Sequence, residues 1–307
     1  MTTATDPHTL PSWTVGGITV HRVDELPLPP ATGPWLLPDA TPQLVTEEAW
    51  LRPHFADADG VLRIDSHSFA FSTGGLRVVV DTGIGNGKQR ANPAWHDLDT
   101  GYLDRLTAAG FPPDSVDLVL LTHLHTDHVG WNTRAEGGRW VPTFPRARYL
   151  VSRVERDFWA AYDMDEPRRQ MFRDSVDPVA EAGLLDVVDV GDDGAQVAPG
   201  VWLLPTPGHT PGHLAVRVDG GNGASALISG DCVHHPVQFA HPAIGSCVDI
   251  DPPLAERSRR TLLASLADTD TLLMGTHFAP PTAGRVVTRG GAYRLSPVGP
   301  DHRTNAT

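Results

Sequence analysis

Thr122-His123-Leu124-His125-Thr126-Asp127-His128 places four potential metal ligands within residues 123–128, directly after the apolar run Val116-Asp117-Leu118-Val119-Leu120-Leu121. The apolar run reads as a buried strand, so the histidine-rich segment is its C-terminal exit. Imidazoles and an ionised carboxylate crowded together cost folding free energy unless something positive binds them. On extended backbone His123 and His125 project to the same side, and Asp127 and His128 follow where the chain turns toward Gly130. Four such groups on one loop can serve two adjacent ions. The competing reading, a solvated loop with incidental histidines, fits the strand-to-loop context poorly.

Further ligands must come from elsewhere in the fold, and three strand-like runs end on candidates. Val201-Trp202-Leu203-Leu204 leads into Pro205-Thr206-Pro207-Gly208-His209, where prolines and glycines tighten the loop. Ala226-Leu227-Ile228-Ser229-Gly230 ends at Asp231, and Thr271-Leu272-Leu273-Met274-Gly275-Thr276 ends at His277. One His or Asp after a strand is usually a hydrogen-bonded loop residue. Three in one chain, after the 123–128 segment, form a pattern.

This ordered set, His-x-His-x-Asp-His and then His, Asp and His, resembles the metallo-β-lactamase fold superfamily over roughly residues 64 to 290. The resemblance implies one metal ion on His123, His125 and His209, a second on Asp127, His128 and His277, and Asp231 bridging them. Asp81, after the run Leu76 to Val80, would then support the ligand loop; it reads equally well as a turn Asp accepting backbone N–H bonds. Two bridged cations would bring a shared water toward a pKa of roughly 7, and the resulting hydroxide would attack the substrate carbonyl. The family further implies that Asp127 passes a proton to the leaving group. Zinc is the first expectation, although imidazole and carboxylate sets also accept iron, manganese or cobalt.

Comparison with branches of the superfamily narrows the chemistry. The best-known zinc β-lactamases carry a cysteine ligand where this chain has Asp231, and Cys232, one residue later, reads as a buried thiol. Diiron flavoprotein oxygen reductases carry an acidic residue where this chain has His125, which favours hydrolysis over redox chemistry. Thr206 to His213, Gly230 to Pro236 and Gly275 to Gly284 look most like the branch of N-acyl homoserine lactonases and methyl parathion hydrolase. The implied activity is therefore lactone or ester hydrolysis. Phosphotriester or thioester hydrolysis at the same centre is the alternative, and β-lactamase or nuclease activity is less favoured.

Composition agrees with a small-molecule enzyme. The chain has 307 residues, a net charge of −13 and 24 basic residues dispersed along it, which disfavours nucleic acid as a substrate. The two cysteines, Cys232 and Cys247, provide no disulfide framework. No apolar run is long enough to span a membrane, and the N-terminal residues lack a signal-peptide pattern, so a cytoplasmic location is expected.

Alternating strand and helix signals predict an α/β protein, which the resemblance sharpens to a four-layer αββα sandwich. Residues 1–60, proline-rich, are expected as an extension contributing to the pocket or to a homodimer contact, and 61–307 as the hydrolase domain. Strands are expected at Thr14 to Val23, at Ile64 to Phe71 with Leu76 to Val80, and at Arg148 to Ser152. Helices are expected at Leu103 to Ala109 and over Arg153 to Phe172. Trp131, Phe158, Trp159, Tyr162 and Phe278 are candidates for an apolar pocket wall, with core packing as the competing reading. Phe158, Trp159 and Tyr162, with the N-terminal segment, are expected to form a lid. His213, His234 and His235 read either as polar neighbours of the ligands or as solvated loop histidines.

Overall fold

The computed structural model describes residues 10–301. The first sheet contains β1 (Ser12–Val15), β2 (Ile18–Pro27), β3 (Asp65–Thr73), β4 (Leu76–Val80) and β5 (Leu118–Leu120). A separate hairpin, β6 (Thr133–Glu136) and β7 (Arg139–Pro142), precedes β8 (Arg148–Ser152) and β9 (Leu185–Val188), which complete that sheet in the order β1-β2-β3-β4-β5-β8-β9. The second sheet runs in sequence order: β10 (Ala195–Ala198), β11 (Val201–Pro205), β12 (Leu214–Gly221), β13 (Ala224–Ile228), β14 (Leu272–Met274), β15 (Ala283–Arg289) and β16 (Ala292–Pro297). Pairing is parallel through β4, β5, β8 and β9 and again between β13 and β14.

Side-chain alternation stacks the layers. Phe69 and Phe71 of β3, and Val78 and Val80 of β4, point between the sheets, where they meet Leu214, Val216 and Val218 of β12. The intervening Ala70 and Val79 face outward toward Tyr102, Leu106 and Trp159 on helices. Ala215 and Leu227 face the opposite way, under Leu262, Leu263 and Leu266 and against the N-terminal residues Leu28, Leu36 and Leu37. Two central sheets with helical layers outside are the αββα sandwich.

The helices are α1 (Thr32–Leu36), α2 (Pro42–Glu47), α3 (Tyr102–Ala108), α4 (Thr126–Val129), α5 (Arg153–Ala161), α6 (Glu166–Ser175), α7 (Asp177–Glu181), α8 (Val237–Ala240) and α9 (Pro252–Leu266). Their starts follow local chemistry. Asp251 caps α9 by accepting from the Leu254 N–H, and prolines occupy its first turn.

Two expected elements divide. The strand expected at 14–23 is the β1–β2 hairpin, turning at Gly16-Gly17, where Gly16 has a φ of 56°. The helix expected over 153–172 breaks into α5 and α6, because Asp165 caps a new helix with a proline in its first turn. Residues 12–27 belong to the first sheet, whereas Leu28, Thr32, Trp35 and Leu36 line a cavity. Among the described residues, no helix is long and apolar enough to cross a membrane.

If Phe71 fills the inter-sheet core, Phe71→Ala should cost about 3–5 kcal/mol in urea unfolding. Trp35→Ala, at a residue 53% exposed, should stay within about 0.5 kcal/mol.

Candidate metal centre

The loops after β5, β11, β13 and β14 converge at one edge of the paired sheets, and each delivers its expected residues. His123, His125 and His209 form one cluster of ligand atoms, and Asp127, His128 and His277 another; His123, His128 and Asp231 form a third that joins them. Asp231 divides its two oxygens. Oδ1 lies 3.3 Å from His128 Nε2 and 3.2 Å from His277 Nε2, while Oδ2 lies 3.4 Å from His209 Nε2 and 3.8 Å from His123 Nε2. Asp127 sits on the Oδ1 side, 3.6 Å from His277 Nε2 and 3.8 Å from His128 Nε2. His125 Nδ1 lies 2.9 Å from His209 Nε2.

Each of four histidines is oriented through its other ring nitrogen. His128 Nδ1–H donates to Asp81 at 2.8 Å, and His209 Nδ1–H to Asp249 at 2.8 Å. His277 Nδ1–H donates to the Asp65 carbonyl at 2.9 Å, and His123 Nδ1–H to the Thr122 hydroxyl at 3.0 Å. Thr122 in turn donates its hydroxyl and backbone N–H to Asp81. Asp81 adopts a φ of 55°, costly for a residue with a Cβ, and that conformation accompanies its bonds to both Thr122 and His128. The ligand loop is also pressed against residues 82–85: a Cβ at Gly130 would stand 1.9 Å from the Ile84 carbonyl oxygen.

Two inward nitrogens and one carboxylate oxygen are left without hydrogen-bond partners. His123 Nε2, His128 Nε2 and Asp231 Oδ1 are buried and make no hydrogen bond. Buried polar atoms rarely remain unsatisfied, and here they face one another as Nε2 and carboxylate oxygen, the donor set that suits divalent zinc-like ions. The residues therefore fit a metal centre.

Charge follows the same division. Burial drives His123 and His125 well below the usual histidine range. Burial also opposes charge on His128, but Asp231, Asp81 and Asp127 hold it well above that range. His277 is likewise raised, to about 9, by Asp231 and Asp127 against burial. Burial would raise Asp231, yet His128, His277 and His234 hold its carboxyl well below the usual range.

The ambiguous histidines separate. His213 Nε2 accepts the Asp231 backbone N–H at 2.8 Å, and its Nδ1 side meets Thr206, so it holds the backbone at Asp231. His235 Nε2–H donates to the Phe55 carbonyl, away from the centre. His234 is buried beside the cavity with Nε2 3.2 Å from Asp231 Oδ2, and its ring stacks on His277. Cys232 is buried and its thiol is pushed up to about 12 by burial. Asp249 and Glu155 carry no signal in the sequence: neither belongs to a ligand-like motif, and only folding brings them to the loops.

The expected aromatic wall is not where the sequence put it. Trp159 is buried beneath α5 with its indole donating to Glu155 and its ring edge against His125. Trp131 stacks on Tyr102 and donates to Glu25, and Phe278 packs between Phe55 and Phe239. Phe158 packs against the helical layer, and Tyr162 lies 40% exposed on an outer groove. Because the helical segment breaks after α5, it is α6 that reaches the cavity, through Arg168 and Met171. The aromatic lining is Trp35 and Trp95. The cavity holds about 230 Å³, with His125, Asp127, Asp231, His234 and His277 in its wall, and it shares Thr32, Trp35, Trp95, Thr126 and Arg168 with a groove of about 730 Å³.

Residues 63–277 match the family model of the Metallo-beta-lactamase superfamily, and the chain belongs to that superfamily. It is 30% identical over 151 residues to the N-acyl homoserine lactonase AttM of Rhizobium radiobacter, covering 45% of this chain and 49% of that protein. It is 28% identical over 159 residues to the N-acyl homoserine lactonase AiiA of Bacillus thuringiensis subsp. kurstaki, covering 51% and 54%. The chain thus aligns with about half the length of these curated relatives. Among solved structures, it superposes on AidC, a dizinc quorum-quenching lactonase in complex with its product N-hexnoyl-L-homoserine, with a TM-score of 0.76 at 21% identity, covering 95% of this chain and 98% of that one. The hydrolase AbOPH superposes with a TM-score of 0.75 at 24% identity, covering 95% and 98%.

Since Trp159 is a core residue, Trp159→Ala should cost about 3–5 kcal/mol of stability. Thermal unfolding checks this, and a selective rise in the Michaelis constant with unchanged stability would contradict it.

Proposed function

We propose that this chain is a metal-dependent hydrolase that opens lactones, and cleaves related esters, at a centre of two divalent ions, zinc first among them. The observation that carries the reading is Asp231, placed between two groups of ligand atoms with one oxygen toward each, in the wall of a largely apolar cavity. His123, His125 and His209 would hold one ion, Asp127, His128 and His277 the other, and Asp231 both. Bound divalent ions supply Lewis acidity and bring a water toward a pKa of roughly 7, so that hydrolysis needs no protein nucleophile.

The chain's own residues do the rest. Asp81, Asp249 and the Asp65 carbonyl hold the imidazoles in the tautomer that leaves Nε2 facing inward. Asp127 lines the cavity and would carry a proton to the departing alkoxide. Leu28, Leu36, Met171 and Val248 offer an apolar surface to an uncharged acyl group, and the adjoining groove gives a longer chain room to continue. Relatives named as N-acyl homoserine lactonases favour a lactone as substrate. The N-terminal segment, through Leu28 to Leu36, serves this pocket as wall.

Elemental analysis of the purified protein should find close to two divalent ions per chain, and Asp231→Ala should deplete both because one carboxylate serves both groups. Two retained ions with normal turnover in that variant would remove the bridging assignment. Against a panel of lactones, aryl esters, phosphotriesters and β-lactams, lactones should be turned over best. Trp35→Ala should raise the Michaelis constant for a long-chain lactone about tenfold with kcat within about twofold, as expected for a lost binding contact.

A further inference from the structure

Glu155 lies outside both ligand groups, yet its fully buried carboxylate joins the two loops that carry three of their histidines. Oε1 accepts the Leu124 N–H at 3.0 Å and the Trp159 indole N–H at 2.7 Å. Oε2 accepts the Thr210 hydroxyl at 2.6 Å and the Gly212 N–H at 3.2 Å. Leu124 separates His123 from His125, and Thr210 follows His209. An ionised carboxylate offers about four acceptor directions, so these donors use its whole capacity.

The packing around this clasp leaves it little freedom. Ser152, which caps α5 by accepting the Glu155 N–H, donates its hydroxyl to the Gly212 carbonyl at 2.8 Å. Gly212 comes so close that a Cβ there would stand 2.1 Å from Glu155 N. Among the described residues no charged neighbour acts on this carboxylate, and burial pushes its pKa up against the pull of the four donors. A buried carboxylate without a cation is expensive, and an apolar side chain could fill the same space. What an apolar residue could not do is fix two separate loops through four directional bonds. The indole it holds also lies edge-on to His125, with ring centroids 5.7 Å apart.

We propose that Glu155 is a positioning residue: it sets the spacing between the His123/His125 loop and the His209 loop, and thereby the affinity of the ion those three imidazoles would hold. The inference rests on the two-ion reading above. It extends that reading to a residue that touches neither ion nor substrate.

The test is a titration of metal-free protein with Co²⁺, followed by visible absorption and by calorimetry. Glu155→Gln keeps the size but turns an amide N–H₂ toward donors. It should weaken one of the two ions about 10–100-fold, the range typical when a ligand's supporting partner is lost, change the cobalt absorption, and leave the other ion as in the wild type. Thr210→Val removes one donor without a donor–donor clash and should act in the same direction to a smaller extent. Tyr149→Phe, which loses hydroxyl bonds to Asn132 and Phe144 and leaves the four bonds of Glu155 in place, shows what reduced stability alone does. If Glu155→Gln lowers the melting temperature as Tyr149→Phe does but binds both ions with wild-type affinity, the proposal is overturned. Should Glu155→Gln fail to fold, unchanged cobalt affinity in Thr210→Val overturns it instead. A wild type that takes up no cobalt defeats the two-ion reading itself, a result distinct from equal uptake by wild type and variants.

Discussion

The Asp231 carboxylate, with imidazole nitrogens facing both of its oxygens, is the constraint around which the paired sheets are arranged. An uncompensated cluster of this density would be expensive to bury, so each participating ring must be held so that its lone pair and its N–H are both used. Asp81, Asp249, the Asp65 carbonyl and Thr122 take the N–H side of four rings. Those partners come from loops of both sheets. The Leu214 N–H to Thr122 carbonyl bond then ties the end of one sheet to the end of the other. The sandwich can thus be seen as a rigid mount whose strand ends meet at Asp231.

Much of this was readable before folding, because the two relevant signals are local. A short apolar strand followed at once by clustered ligands is visible at 116–128, and the same sign recurs before His209, Asp231 and His277. Strands β4 and β8 coincide with the runs Leu76 to Val80 and Arg148 to Ser152 for the same reason, since their β-rich patterns are bounded by turn or cap residues. What could not be read is whatever depends on contacts distant in sequence. Asp249 becomes the partner of His209 only because residues 246–251 fold back over the 206–213 loop. Glu155 sits in an ordinary helical stretch whose pattern carries no sign of the loops above it.

The pocket illustrates the same limit from the other side. Large aromatic residues near a histidine-rich motif invite a functional reading, but a Trp can satisfy its indole N–H inside the fold and vanish from the surface, as Trp159 on α5 and Trp131 in a short turn do. The aromatics that do line the cavity, Trp35 and Trp95, stand in segments without strong periodicity. Their segments are held in place by the core rather than forming it: Leu36 and Leu37 are buried against the second sheet's outer layer while Trp35 beside them is half exposed. Such a wall can change in sequence with little cost to the strand ends beneath it, and in the proposed enzyme residues 28–36, Trp95 and α6 would be where substrate choice is set.

The two-ion centre requires ions on both sides of Asp231. Anomalous X-ray diffraction from zinc-loaded crystals, collected above and below the zinc edge, addresses this directly. Two anomalous peaks are predicted, one among His123, His125 and His209, the other among Asp127, His128 and His277, with Asp231 between them. A single peak away from Asp231, or none at full zinc loading, would contradict it.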